Sequence, residues 1–117
     1  MKEILSELNQ EVGVKGSMVV TQDGIVVASD LTTGLSDEVV AAVASGAIQS
    51  TNSQLNRIGQ PNLSKFVLEA GFGKMVFIDI GIAYLVVILD QRINMDVTLI
   101  AISGAAYRIR QMGQIRT

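Results

Sequence analysis

The stretch Gly16–Leu31, GSMVVTQDGIVVASDL, decides the fold. Two short β-branched runs meet across Asp23-Gly24. A two-residue loop needs positive φ at both central positions, and Asp-Gly supplies it at little steric cost. The reading is a tight hairpin of fixed register, with strands near 16–21 and 25–29.

Outward from the hairpin, the elements follow in order. Upstream, Ile4, Leu5, Leu8 and Val12 share one face of a helix over 2–12, and Gly13 stops it. Downstream, Ser36 is placed to cap a long helix, with Asp37 and Glu38 in its dipole-favoured first turn. Leu35 and Val40 form a hydrophobic staple, and Gly59 and Pro61 close the helix. Its expected core stripe is Val40, Val43, Ala44, Ala47, Leu55 and Ile58. A second stripe, Val39, Ala42, Gly46, Gln49 and Ser53, consists mostly of small residues.

Three closely spaced strands come next: 65–70, 74–80 and 83–89. Residues Ala83–Leu89 are apolar on both faces, as a central strand covered on both sides requires. Asn94 caps a last helix to about Gln114, whose half from Val97 to Ala106 is apolar nearly all round and expected to be well buried. Except where a helix intervenes, the connections are too short for parallel crossovers, so the sheet is mainly antiparallel. The expected fold is α+β in the order αββαβββα. One long helix covers one face of a five-stranded sheet and two terminal helices cover the other, in a single domain spanning 1–117.

Composition limits the chemistry. The chain is 49% hydrophobic but 4% aromatic, so its core is aliphatic. It has no His and no Cys, which excludes His-based triads, nitrogen or sulfur zinc sites and disulfides. A net charge of −2 argues against nucleic-acid binding. Residues 1–40 carry two basic and seven acidic side chains, and residues 91–117 four basic and one acidic. The simple reading is two terminal helices that attract, with Arg108, Arg110 and Arg116 near a helix C-terminus. No signal peptide is visible, and the longest apolar stretch, Met75–Leu89, is interrupted by Asp79 and Gly81. A cytoplasmic protein with no membrane insertion is expected.

Local motifs resolve into structure. Gly71-Phe72-Gly73-Lys74 lacks the remaining positions of a phosphate loop and reads as a hairpin turn. Asp79 is expected to face solvent at a strand end or to bond a nearby backbone amide, and Tyr84 and Tyr107 to be core residues with paired hydroxyls. No catalytic, cofactor-binding or metal-binding residue is expected. What remains is surface. The apolar strand 65–70, if at a sheet edge, is guarded only by Lys65 and Glu69. With the small-residue stripe it suggests a homodimer through Val39, Ala42, Gly46, Gln49, Ser53, Phe66, Val67 and Leu68.

The leading helix, the GSMVVTQDGIVVASDL hairpin, the helix SDEVVAAVASGAIQSTNSQLNRIG and the block MVFIDIGIAYLVVILD together resemble the Roadblock/dynein light chain family, in its bacterial or archaeal form. The resemblance spans essentially the whole chain. It implies a five-stranded antiparallel sheet, a dimer formed by pairing the third strand with its two-fold mate, and a platform for Ras-like GTPases. The chain lacks the long C-terminal extension of some bacterial GTPase-activating members, which favours a scaffold over an activator. Ser45, Gln49, Asn52 and Asn56, on one polar face of the long helix, are the expected partner contacts. The alternative is a structural adaptor in a motor or signalling assembly, without GTPase contact.

Overall fold

In the computed structural model, which describes residues 1–32 and 34–115, eight elements follow one another. They are α1 (Lys2–Leu8), β1 (Val14–Val20), β2 (Val26–Leu31), α2 (Asp37–Arg57), β3 (Lys65–Ala70), β4 (Gly73–Asp79), β5 (Tyr84–Leu89) and α3 (Met95–Ile115). All strand pairs are antiparallel, in the sheet order β2-β1-β5-β4-β3.

The central strand is β5, and all six of its residues are buried. Alternation divides them between two cores. Tyr84, Val86 and Ile88 join Met18, Val20, Met75 and Phe77 beneath α2 residues Val40, Ala41, Ala44 and Ile48. Leu85, Val87 and Leu89 join Val19 and Val76 beneath Ile4, Leu5 and Leu8 of α1 and Ile102, Ala105, Ala106 and Ile109 of α3. Each fully buried Leu, Ile or Val contributes about 1.5–3 kcal/mol by leaving water. The expected layer arrangement is therefore the observed one.

The ends of α2 match their sequence signals. The Ser36 side chain accepts from the Val39 amide at its start. At its end Gly59 takes φ 79°, and the amides of Gly59 and Gln60 donate to the carbonyls of Asn56 and Leu55. This double closure needs a residue free to adopt positive φ, which glycine is.

The deciding hairpin differs in its loop. Among the described residues only glycines have positive φ, so Asp23 is not part of a two-residue I′ turn. The Thr21 amide donates to the Ile25 carbonyl and the Gly24 amide to the Thr21 carbonyl. Three residues, Gln22, Asp23 and Gly24, thus form the loop, with Gly24 at φ 95°. This is the three-residue alternative, in which glycine alone takes the left-handed position. Local side-chain bonds favour it: Thr21 Oγ1 donates to Asp23 Oδ1 at 2.5 Å and accepts from the Ile25 amide at 2.9 Å. Gln22 gains a place at the tip.

Helix boundaries and faces also need correction. α1 ends at Leu8, and Val12 is 90% exposed beyond it. Asn9 is its C-cap, and the Asn9 side chain ties the helix end to the sheet: Nδ2 donates to the Asp30 carbonyl and Oδ1 accepts from Ser17 Oγ. On α2, Val43 and Ile58 are exposed, whereas Ile48, absent from the expected core stripe, is fully buried. Ile58 lies past the last helical turn. On α3, Val97 and Ile100 are 60% and 75% exposed, and Tyr107 is 64% exposed. α3 meets the sheet and α1 on one side only, and its other side has no covering layer among the described residues.

The terminal helices do attract. Arg108 Nη1 lies 2.6 Å from Glu7 Oε2. The Arg108 hydrogen bond, then its charge, holds the Glu7 carboxyl below its ordinary value, and Glu7 in turn raises Arg108. Both groups are solvent-exposed, so packing and not this pair carries the α1–α3 contact. Arg110 donates to the Asp79 carbonyl; Arg116 lies outside the described residues.

Candidate protein-docking site

The candidate surface is built from α2, the β1–β2 loop and the β3 edge. α2 buries Val40, Ala41, Ala44, Ser45, Ile48 and Asn52 against the fold. At about 3.6 residues per turn, Val39, Ala42, Gly46 and Ser53 then form its outward crest, and all four are exposed. A Cβ added at Gly46 would meet nothing within 4 Å. The small residues on this crest therefore do not serve packing inside the protomer.

One flank of α2 faces the β1–β2 loop. Gln49 Nε2 donates to the Gln22 carbonyl at 2.9 Å. Asn52 Nδ2 donates to Gln22 Oε1 at 3.0 Å and to the Tyr84 hydroxyl at 3.1 Å, and Asn52 Oδ1 accepts from the Leu63 amide at 2.7 Å. Asn52 is only 3% exposed and links helix, loop, central strand and the connection into β3. Ser45 is buried too, and donates to the Ala42 carbonyl. Of the four residues expected to face a partner, these two therefore point into the fold. Gln49 and Asn56 remain exposed, the latter donating to the Gln60 carbonyl and Asn62 Oδ1. With Gln22, Asp23, Asn52 and Ser53 they line an open recess of about 720 Å³.

The opposite flank of α2 carries Val43, Ala47 and Gln54 by the same helical spacing. In the sheet order β3 lies at the edge away from the β1–β2 hairpin. Gln49, expected in the dimer stripe, is held on the hairpin side.

β3 is a sheet edge, paired with β4 alone among the described residues. Phe66 and Leu68 face the α2 side, half-buried, with the Phe66 ring stacked on Phe77 at 5.5 Å. Val67 faces the other side and is exposed. The edge carries only the two charges noted above, and Glu69 is drawn toward Lys74 at 3.7 Å.

The surface offers shape and amides, and few reacting groups. Asp79 Oδ1 accepts from the Gly81 amide in a tight turn, as expected, and Tyr84 is a core residue with a paired hydroxyl. Sequence reasoning missed Gln22 as the loop residue that meets α2. The offset between Gln22 and Asn52 is long-range, and no local pattern carries it.

With this geometry in hand, known proteins provide a comparison. A model of the Roadblock/LC7 domain matches residues 1–89. Uncharacterised proteins of Methanocaldococcus jannaschii are 38% identical over 109 residues; one such match covers 93% of this chain and 96% of the relative. A Roadblock/LC7 domain from Streptomyces avermitilis superposes with a TM-score of 0.87 at 19% identity, covering 97% of this chain and 98% of that one. MglB of Myxococcus xanthus gives a TM-score of 0.87 at 17% identity, over 97% and 94% of the two chains. At such identities the solved structures speak for the fold.

Proposed function

Since this chain belongs to the Roadblock/LC7 domain family, we propose that it is a homodimeric, non-enzymatic platform in the cytoplasm for a small Ras-like GTPase, controlling that protein's nucleotide state or location. The observation that carries this reading is the unpaired apolar edge of β3 beside an exposed, small-residue crest on α2. Two-fold pairing of β3 continues the sheet into the mate and satisfies an edge that is otherwise a liability. It sets the two α2 helices side by side. Phe66, Val67 and Leu68 form the seam, and Val43, Ala47 and Gln54 line the flank of α2 nearest the mate. The crest residues Val39, Ala42, Gly46 and Ser53 then lie at the top, next to Gln49 and Asn56, where a folded partner can rest.

The crest is exposed and made mostly of small side chains, which suits a broad protein surface better than a small ligand. Light scattering on a sizing column tests the dimer. The purified protein is then mixed with small GTPases from the same genome, each loaded with GDP or a non-hydrolysable GTP analogue. Complex formation is expected in at least one state, and Gly46→Gln is expected to weaken it without loss of fold. A dimer that binds no such GTPase in either state refutes the platform reading and leaves the structural adaptor.

A further inference from the structure

We propose that the recess between the β1–β2 loop and α2 receives an arginine side chain carried by the docked protein; this rests on the platform reading and names a group that reading leaves unspecified. The amides around the recess are all turned one way. Asn56 Nδ2 donates to the Gln60 carbonyl at 2.9 Å and to Asn62 Oδ1 at 3.2 Å. Gln49 Nε2 donates to the Gln22 carbonyl, and the buried Asn52 spends Nδ2 on Gln22 and Tyr84. A planar amide that commits its nitrogen to the fold presents its oxygen on the other arm. Among the described residues no donor reaches Gln49 Oε1 or Asn56 Oδ1.

Charge completes the pattern. Asp23 brings the only formal charge to the lining, which holds no Lys or Arg. Thr21 occupies Oδ1 of that carboxylate and leaves Oδ2 as a further acceptor. The bonds of Gln22 to Gln49 and Asn52 fix the loop tip, so Asp23 is held at the rim. Gln22 Nε2 is a donor in the lining, but it is neutral and leaves the negative balance unchanged. A guanidinium is always charged and carries five N–H donors in a planar fork with no acceptor, which matches such a lining. A carboxylate or phosphate would instead meet Asp23. The recess, about 720 Å³, is open, and it runs into the crest through Ser53, which belongs to both. That continuity makes the occupant a side chain of a protein resting on the crest.

The recess can be tested before any partner is known. Isotope-labelled protein is titrated at low ionic strength with an acetylated, amidated Gly-Arg-Gly peptide, and NMR follows the side-chain amides of Gln49 and Asn56. Saturable shifts are expected, weakened by added salt and absent with the matching citrulline peptide, which keeps the shape of the guanidinium without its charge. Asp23→Asn keeps an acceptor for Thr21 and removes the charge; it should weaken binding about fivefold. Gln49→Lys keeps a donor for the Gln22 carbonyl and sets a cation in the recess; it should abolish the shifts, with native circular dichroism. No saturable shift, or equal shifts from the two peptides, overturns the proposal. Tighter binding of free L-arginine than of the capped peptide overturns the protein source. A GTPase that binds wild type, Asp23→Asn and Gln49→Lys equally well overturns the proposal and leaves the platform standing. Arginine-specific shifts without any GTPase complex support the recess and refute the platform.

Discussion

Adjacent prolines in β3 should have opposite consequences. The Ser64 carbonyl accepts from the Asp79 amide at 2.9 Å, and the β3–β4 register continues from there with Lys65 opposite Ile78 and Phe66 opposite Phe77. In an antiparallel ladder the bonded pairs recur at every second residue. Phe66 and Leu68 therefore direct their backbone groups to β4, and Lys65, Val67 and Glu69 direct theirs to the open edge. Val67→Pro deletes an outward N–H and leaves the protomer's own ladder whole, which edge strands tolerate. Across a two-fold seam it deletes two donors and leaves two carbonyls unpaired. At about 1–3 kcal/mol for each unpaired group, that is roughly 2–6 kcal/mol, or about thirty-fold to twenty-thousand-fold in the dimer dissociation constant. Leu68→Pro instead strands the buried Met75 carbonyl within the protomer, costing at least about 1–3 kcal/mol of fold stability. The assay is light scattering over a micromolar concentration series, with circular dichroism and urea unfolding of both variants. The reasoning fails if Val67→Pro keeps the wild-type association constant while folded. It fails equally if Val67→Pro destabilises the isolated protomer as much as Leu68→Pro does.

Further expectations concern stability. Asn52→Leu leaves the Leu63 amide without its acceptor and removes the bonds to Gln22 and Tyr84; a loss of about 2–4 kcal/mol is expected in urea unfolding, against a smaller loss for Gln22→Ala. Gly73→Ala forces a Cβ to 2.3 Å from the Leu89 carbonyl oxygen at φ 135°, so a loss of at least about 1–3 kcal/mol is expected from the strained backbone; an unchanged melting temperature would contradict the close approach. The Glu7 carboxyl is held down by Arg108, so its contribution is present above the unfolded carboxylate value and disappears as pH falls through the lower folded one. It should be small and salt-sensitive, and an NMR titration should show the Glu7 midpoint rising in Arg108→Gln.

Much of this fold was legible because the signals were local. The Ser36 cap, the Gly59 closure, the uninterrupted apolar run of β5 and the turn glycines each act within a few residues, so neighbours in sequence carry the whole cause. Layer assignment followed from alternation along the strands and from connection length. The edge character of β3 could be stated only as a condition, because strand order depends on pairings between residues far apart in the chain.

What the sequence could not decide is how each helix is rotated on the sheet and what its far side meets. Hydrophobicity placed Val43, Ile58, Val97, Ile100 and Tyr107 in a core, yet burial is a property of neighbours, and each of these residues is at least half exposed. The rotation of α2 is tied to Asn52, whose partners Gln22, Leu63 and Tyr84 converge only once the sheet has formed. That convergence turned two expected contact residues inward. The quoted hairpin shows the same division. Its existence and position came from Asp23-Gly24 and the β-branched runs alone; its loop length came from the bonds of Thr21 and from the docking of Gln22 against α2. Local chemistry determined the elements of this protein, and long-range packing decided which of their surfaces remain free to bind.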